Sequence, residues 1–295
     1  MAEGMSKDIQ WFPGHMTKAR RRMEADLGKV DMLIEIVDAR IPISSRNPEL
    51  AVLAPEKPRL LILNKADLAD KAGNARWTAW FRKQGYAVLE ADCRSGKGLQ
   101  HLNATINKVM EEQRAVWERK GMIGRQIKAM VVGIPNVGKS SFINRICKTG
   151  SRAKTEDRPG VTRDNRWYAV SPEILLLDTP GVLWPKFQDQ TVGLHLAFTG
   201  AVRDDILDVE ELACVLLDIM RREYPDALKT RYKITDELEE QAYDLLAQIG
   251  RKRGMLVSGG EVNTERAARM LLDEYRGGKL GALTLEFPPE TEKTV

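Results

Sequence analysis

One stretch, GIPNVGKSS at residues 133–141, restricts the fold of this chain more than any other. The spacing Gly133-x4-Gly138-Lys139-Ser140 works only where a strand ends in a tight loop and a helix begins. There, backbone N–H groups and the helix N-terminus can converge on one phosphate group. The sequence supplies both flanks. KAMVVG (128–133) is an apolar strand-like run, and Lys139 to about Cys147 reads as a helix. Gly133, Asn136, Val137, Gly138 and Ser141 make up the rest of the backbone cradle. Lys139 offers a point charge to the terminal phosphates, and the Ser140 hydroxyl offers an oxygen to Mg²⁺.

Other short motifs fit the same chemistry but stand in an unusual order. DTPG (178–181) closes the apolar run ILLLDT. Asp178 is placed to approach Mg²⁺, commonly through water, and the Gly181 N–H to sense a γ-phosphate. Between the two motifs, RPGVTRD (158–164) offers Thr162 as a switch threonine closing on the same ion, with Thr155 as the less favoured choice. The tetrad Asn64-Lys65-Ala66-Asp67 ends another apolar run, RLLILNK. Asp67 can accept from both N1–H and the exocyclic amine of guanine. Adenine has no such donor pair and would leave the carboxylate unmatched. Asn64 and Lys65 would buttress that loop and the base face. A third strand, YAVLEAD, leads into Asp92-Cys93-Arg94 and a glycine-bearing turn, where the Cys93 N–H is expected to meet the guanine carbonyl. The order along the chain is base, base, phosphate, switch, switch. In ordinary small GTPases the guanine tetrad follows the phosphate loop. A circular permutation of a Ras-like fold accounts for the inversion, because its natural termini lie close enough to be joined. RKGMIGRQ (119–126) is the natural joint.

Strands alternating with helices up to about residue 189 predict a largely parallel α/β sheet covered on both faces. Past Pro185 the pattern changes to amphipathic helices, ILDVEELACVLLDIMRREY, TDELEEQAYDLLAQIG and TERAARMLLDEYRGG. The expected division is therefore a permuted nucleotide-binding domain, residues 1–189, and a helical domain, residues 190–295. Residues 190–295 carry 14 Lys/Arg against 20 Asp/Glu, yet the chain as a whole is +4. The first part holds all of the positive excess, which suits a polyanionic partner weakly. Three scattered cysteines with no CxxC point to a reducing cytosol, and no apolar run is long enough to span a membrane.

The permuted order, WFPGHM (11–16) and the helical tail together resemble the ribosome biogenesis GTPase A family, also called YlqF. The resemblance covers nearly the whole chain and is loosest past residue 190. It implies a cytoplasmic GTPase acting in late assembly of the large ribosomal subunit, contacting rRNA and ribosomal proteins of the precursor. Related permuted GTPases of the small subunit carry an OB barrel or zinc sites. This chain has too few residues before Met32 and too few cysteines for either. Many GTPases have a water-orienting glutamine just after the DxxG motif; here that residue is Val182. Of the three histidines, His15, His101 and His195, the resemblance implicates His15 in hydrolysis, the alternative being a histidine packed against the sheet. Asn136 either helps hold a K⁺ ion near the phosphates or bonds its own backbone. A second functional reading stays open, a GTP-gated RNA- or protein-binding module with negligible hydrolysis outside the ribosome. TRYK (230–233) and RKR (251–253) are expected to make a local basic face. A chain ending at residue 189 is expected to keep its nucleotide binding.

Overall fold

The computed structural model describes residue 9 and residues 14–149, 166–187 and 189–289. The chain divides into two compact units. One comprises Phe12–Trp184 with Thr284–Val295, the other Met1–Trp11 with Pro185–Leu283. The sequence places a single boundary near residue 190 and assigns everything beyond it to the helical part. In the structure the chain instead returns to the first unit at Thr284.

The first unit is built on helices and strands in the order α1 Gly14–Leu27, β1 Met32–Asp38, α2 Glu49–Leu53, β2 Arg59–Asn64, α3 Lys71–Lys83 and β3 Ala87–Ala91. There follow α4 Leu102–Val109, α5 Glu111–Arg119, β4 Ile127–Val132, α6 Lys139–Thr149, β5 Trp167–Ser171 and β6 Ile174–Asp178. Among the described residues, six strands form one sheet in the order β3-β2-β1-β4-β6-β5. All neighbours are parallel except β5, which pairs antiparallel with β6. β1 sits in the middle, matching Leu33 with Arg59 of β2 and Met32 with Ala129 of β4.

Alternation along these strands sends side chains to both faces. On one face Leu33, Met130, Val132 and Leu177 pack with Met23 and Leu27 of α1. Beside them Val37, Leu61 and Leu63 pack with Trp77 and Phe81 of α3. Ile34, Ile36, Leu60 and Ile62 point the other way and are equally buried, so water is excluded from both sides, as parallel sheets require. The long helix expected over 99–120 is broken. A 3₁₀ turn, Leu99–His101, leads into α4, and the buried Met110 ends α4 and begins α5. At the joint of the permutation, the Met122 N–H donates to the Trp117 carbonyl at 2.9 Å. Arg125 lies 4.1 Å from the Trp117 ring centroid and pairs with Asp31 at 2.8 Å. The chain is thereby guided from α5 into β4.

Among its described residues the second unit contains α7 Gln190–Phe198, α8 Val209–Glu223, α9 Pro225–Tyr232, α10 Ala242–Lys252 and α11 Thr264–Arg276. Asp208 and Asn263 cap α8 and α11 by accepting N–H bonds from their first turns. α8, α10 and α11 pack on one another. Arg276 ties α11 to the end of α7, donating to the Phe198 and Ala197 carbonyls at 3.1 and 2.9 Å and to Asp204. TRYK and RKR do come together, but Arg231 and Arg253 both pair with the buried Glu274. Lys233, Arg251 and Lys252 remain exposed.

Candidate nucleotide-binding site

Because β1, β2, β3, β4 and β6 run parallel, their carboxyl ends meet at one edge of the sheet, where open α/β sheets bind ligands. Four of the motifs read from the sequence leave the sheet there. The loop after β4 follows the course the phosphate motif demands. At Gly138, φ is +100° and an added Cβ would collide with the Asn64 amide. At Gly133 a Cβ would lie 2.6 Å from the Ile36 carbonyl oxygen. Asn136 is exposed at φ 61°, in the left-handed region that asparagine tolerates better than most residues. Ser140 is exposed and Ser141 half-buried in the first turn of α6.

Lys139 is buried in this loop and donates to the Gly133 and Ile134 carbonyls at 2.9 and 2.7 Å. Burial pulls its ammonium down to about 8, and the charge of Asp178 opposes that fall only in part. Asp178 is half-buried and pushed up by desolvation, against the opposing pull of Lys139, the Thr179 N–H and Arg166. Thr179 fixes the end of β6 on β4 by donating to the Val131 carbonyl at 2.6 Å. Gly181 then runs so close that a Cβ would lie 2.8 Å from both the Lys139 Nζ and the Pro135 nitrogen. Only glycine lets DTPG back onto the phosphate loop this closely.

The loops after β2 and β3 are assembled around Asn64. Its Nδ2 donates to the Val137 carbonyl at 2.6 Å, and its Oδ1 accepts from the Cys93 N–H at 3.0 Å. One amide therefore joins the tetrad, the phosphate loop and the loop after β3. The Cys93 N–H, expected to meet a guanine carbonyl, donates here to the Asn64 side chain on the neighbouring strand end. Asp92 accepts from the Arg94 N–H at 2.8 Å; hydrogen bonds from Ser95 and Arg94 outweigh its desolvation and hold its carboxyl low. The Ala66 N–H donates to Ala91 at 3.1 Å and its carbonyl accepts from Asn74 at 2.9 Å. Asp67 itself is exposed at the apex of the turn.

A buried ion cluster that the sequence motifs do not announce lies beneath this loop. Asp38, at the end of β1, is 1% exposed. It accepts from Arg40 Nε at 2.9 Å and from Arg40 Nη2 at 2.8 Å, and pairs with Lys65 Nζ at 2.9 Å. Desolvation raises its carboxyl, but Arg40 and Lys65 together hold it well below the usual carboxylate range. Lys65 sits at φ 59°, so this pairing helps hold an unfavourable backbone turn in the tetrad. The signal available in the sequence was DAR at the end of a strand that is apolar except for Glu35. Thr162 lies outside the described residues, as does Thr155. His15 falls in α1, but its side chain lies outside the described residues too. His195 is buried in α7, and His101 precedes α4.

Relatives of known name fit this geometry. "Ribosome biogenesis GTPase A" of Bacillus cereus is 46% identical over 96% of this chain and 95% of its own length. The chain belongs to the ribosome biogenesis GTPase A family. "Mitochondrial ribosome-associated GTPase 1" of Mus musculus is 35% identical over 94% of this chain and 90% of its own. The sequence model of the family described as "50S ribosome-binding GTPase" matches residues 128–256, beginning inside β4. Among solved structures, GNP-bound YlqF from T. maritima aligns with a TM-score of 0.63 at 23% identity, covering 93% of this chain and 100% of that one. GDP-bound YlqF gives the same score at 22% identity. At that identity the likeness shows the fold, a circularly permuted GTPase. As a member of the ribosome biogenesis GTPase A family the protein is a GTPase, and one feature limits how it hydrolyses GTP. Val182, just after DTPG, is 2% exposed, and its carbonyl accepts from Asn47 Nδ2 at 3.3 Å. Its side chain belongs to the core and offers nothing to orient a water.

Proposed function

We propose that the protein is a GTP-hydrolysing assembly factor of the cytoplasm that binds precursors of the large ribosomal subunit in a nucleotide-dependent way. Its family membership supports a role in ribosome assembly, and the Asn64 bridge carries the nucleotide reading. That single side chain brings the guanine tetrad, the base loop and the phosphate loop to one edge of the sheet, although they lie far apart and inverted in sequence. Asp67 is the guanine acceptor, and the phosphate loop from Gly133 to Ser141 is the cradle. Lys139 and the Gly181 N–H serve the terminal phosphates.

The donor set fits Mg²⁺. Asp178 is a half-buried carboxylate that desolvation leaves short of compensating charge, and Ser140 exposes a hydroxyl at the start of α6. These two residues, with Thr162, would hold the ion, which when bound neutralises charge on the phosphate oxygens. Asn136, on its exposed left-handed turn, is suited to help hold K⁺ beside them. With Val182 in the core, His15 is the residue assigned to hydrolysis, and release of the particle follows from loss of the γ-phosphate.

The test is GTP turnover with and without purified large-subunit precursors, for wild type and His15→Ala. Wild type should be slow alone and stimulated by the particles. His15→Ala should fall about 10- to 1000-fold in kcat, with GTP affinity nearly unchanged. Turnover indifferent to the particles would favour a GTP-gated module acting elsewhere. Equal losses of rate and affinity would make His15 structural.

A further inference from the structure

The first unit contains a segment remote in sequence from every nucleotide motif. After Leu283 the chain lays residues 284–287 across the loops that follow β1 and β2. Thr284, 1% exposed, accepts from the Asp70 N–H at 3.0 Å through Oγ1. The Leu285 N–H donates to the Arg40 carbonyl at 2.9 Å. The Glu286 carboxylate accepts from the Ile43 and Ser44 N–H groups at 2.7 and 3.0 Å and from the Ser44 hydroxyl. Its carbonyl accepts from Trp77 Nε1 at 2.8 Å. Phe287 lies under Arg76 of α3, 5.2 Å from guanidinium carbon to ring centroid.

These anchors flank the tetrad on both sides. Asp70 lies just beyond Asp67 and caps α3 by accepting from the Gly73 N–H at 2.6 Å. The packing there is close, since a Cβ on Gly73 would lie 3.1 Å from the Thr284 Oγ1. On the other side Arg40 shares the Asp38 carboxylate with Lys65, the residue that turns the tetrad through a left-handed backbone. Asp67 is exposed at the apex between these two fixed points. A carboxylate that must meet two donors on a base edge gains from being held before the base arrives.

We propose that residues 284–287 are a strap that positions the guanine-reading loop, with Thr284 and Glu286 as its positioning residues. The proposal rests on residues 64–67 being the guanine reader, and the test separates the two. GDP and IDP are titrated into full-length wild type, Thr284→Val, Thr284→Ser and Glu286→Ala. IDP lacks the exocyclic amine and so cannot use the second half of the Asp67 carboxylate. Wild type should prefer GDP, and a wild type without that preference overturns the reader assignment along with the strap. Given the preference, Thr284→Val and Glu286→Ala should each weaken GDP binding about 3- to 10-fold, the net worth of a hydrogen bond. IDP binding should weaken much less, and kcat at saturating GTP should hold. Thr284→Ser keeps the hydroxyl and should behave as wild type. Equal weakening of GDP and IDP, or unchanged GDP binding, overturns the strap while leaving the reader intact. If Glu286→Ala does not fold, the Thr284→Val and Thr284→Ser pair decides the matter.

Discussion

Asn64 holds the loops together, while Asp67 stands exposed beside it as the proposed guanine acceptor. Asp67→Asn exchanges one acceptor for a donor, so guanine's paired N–H groups lose half their match. GTP binding should weaken by about 2–4 kcal/mol and preference should move toward xanthine nucleotides, whose extra carbonyl suits an amide. Parallel titrations with GDP and XDP check this; a variant that still ignores XDP would remove Asp67 from the base edge. Asp38 bears on stability instead. Its folded-state carboxyl titrates below the usual range, so as pH falls the unfolded chain takes up this proton first. The stability it contributes is complete above the ordinary carboxylate range and is lost as pH falls through that range toward the folded value. Urea unfolding from pH 7 to 3 should therefore show a steeper acid loss for wild type than for Asp38→Asn, which should be weaker at neutral pH because Arg40 and Lys65 lose their shared anion. The placement of residues 64–67 and Lys139 in loops that follow β2 and β4 was legible in the sequence, since phosphate and guanine chemistry dictate residue type and spacing. The destination of the Cys93 N–H was not, because a backbone donor's partner depends on which neighbouring strand end reaches it first.

Among the elements, strands were easier to read than helices. The runs ending at Asp38, Asn64 and Asp178 are largely apolar on both faces, the pattern expected of a covered parallel sheet, whereas β3 at the sheet edge exposes Glu90. α1 and α7 carry little helical signal in the sequence. α1 begins beside a Pro-Gly pair and carries KARRR, which reads as solvated charge, while Met16, Met23 and Leu27 on its other side are buried. α7 is nearly apolar all round and so has no amphipathic stripe to find. The stretch after β6 shows how local context decides a side chain's use. Val182 and Leu183 turn into the core once DTPG has passed the phosphate loop. Val182→Gln, which would install the residue many GTPases carry there, should therefore not accelerate hydrolysis. It should lower the free energy of unfolding by about 1–3 kcal/mol by burying an amide. Single-turnover hydrolysis and chemical denaturation measure the two effects; a faster variant would place this side chain at the nucleotide.

For the molecule as a whole, the connections of the second unit matter as much as its helices. The chain enters it at Pro185, a few residues past Gly181, and leaves it at Leu283, directly before the strap. The sequence predicted only the first of these ties, because a short segment such as TLEF shows no periodicity and declares its partner only in three dimensions. A chain ending at residue 189 would thus lose the strap with the helices, and its nucleotide affinity and particle binding would fall together. Point variants in the full chain keep them apart. Arg231 and Arg253 are committed to Glu274, whose carboxyl they hold low against desolvation, so removing them would test stability of the unit. Lys233, Arg251 and Lys252 are exposed and are the cations suited to rRNA phosphates. GTP analogues should tighten binding to large-subunit precursors relative to GDP by about 1–3 kcal/mol, the usual range of coupling between two sites. Reversing the charge of Lys233, Arg251 and Lys252 should weaken that binding in both nucleotide states and flatten its salt dependence. Titrations of GDP alone should be unchanged. If particle binding and its salt slope survive the triple reversal, the contact belongs to the basic surface of the first unit, and the helices serve only to transmit the nucleotide state.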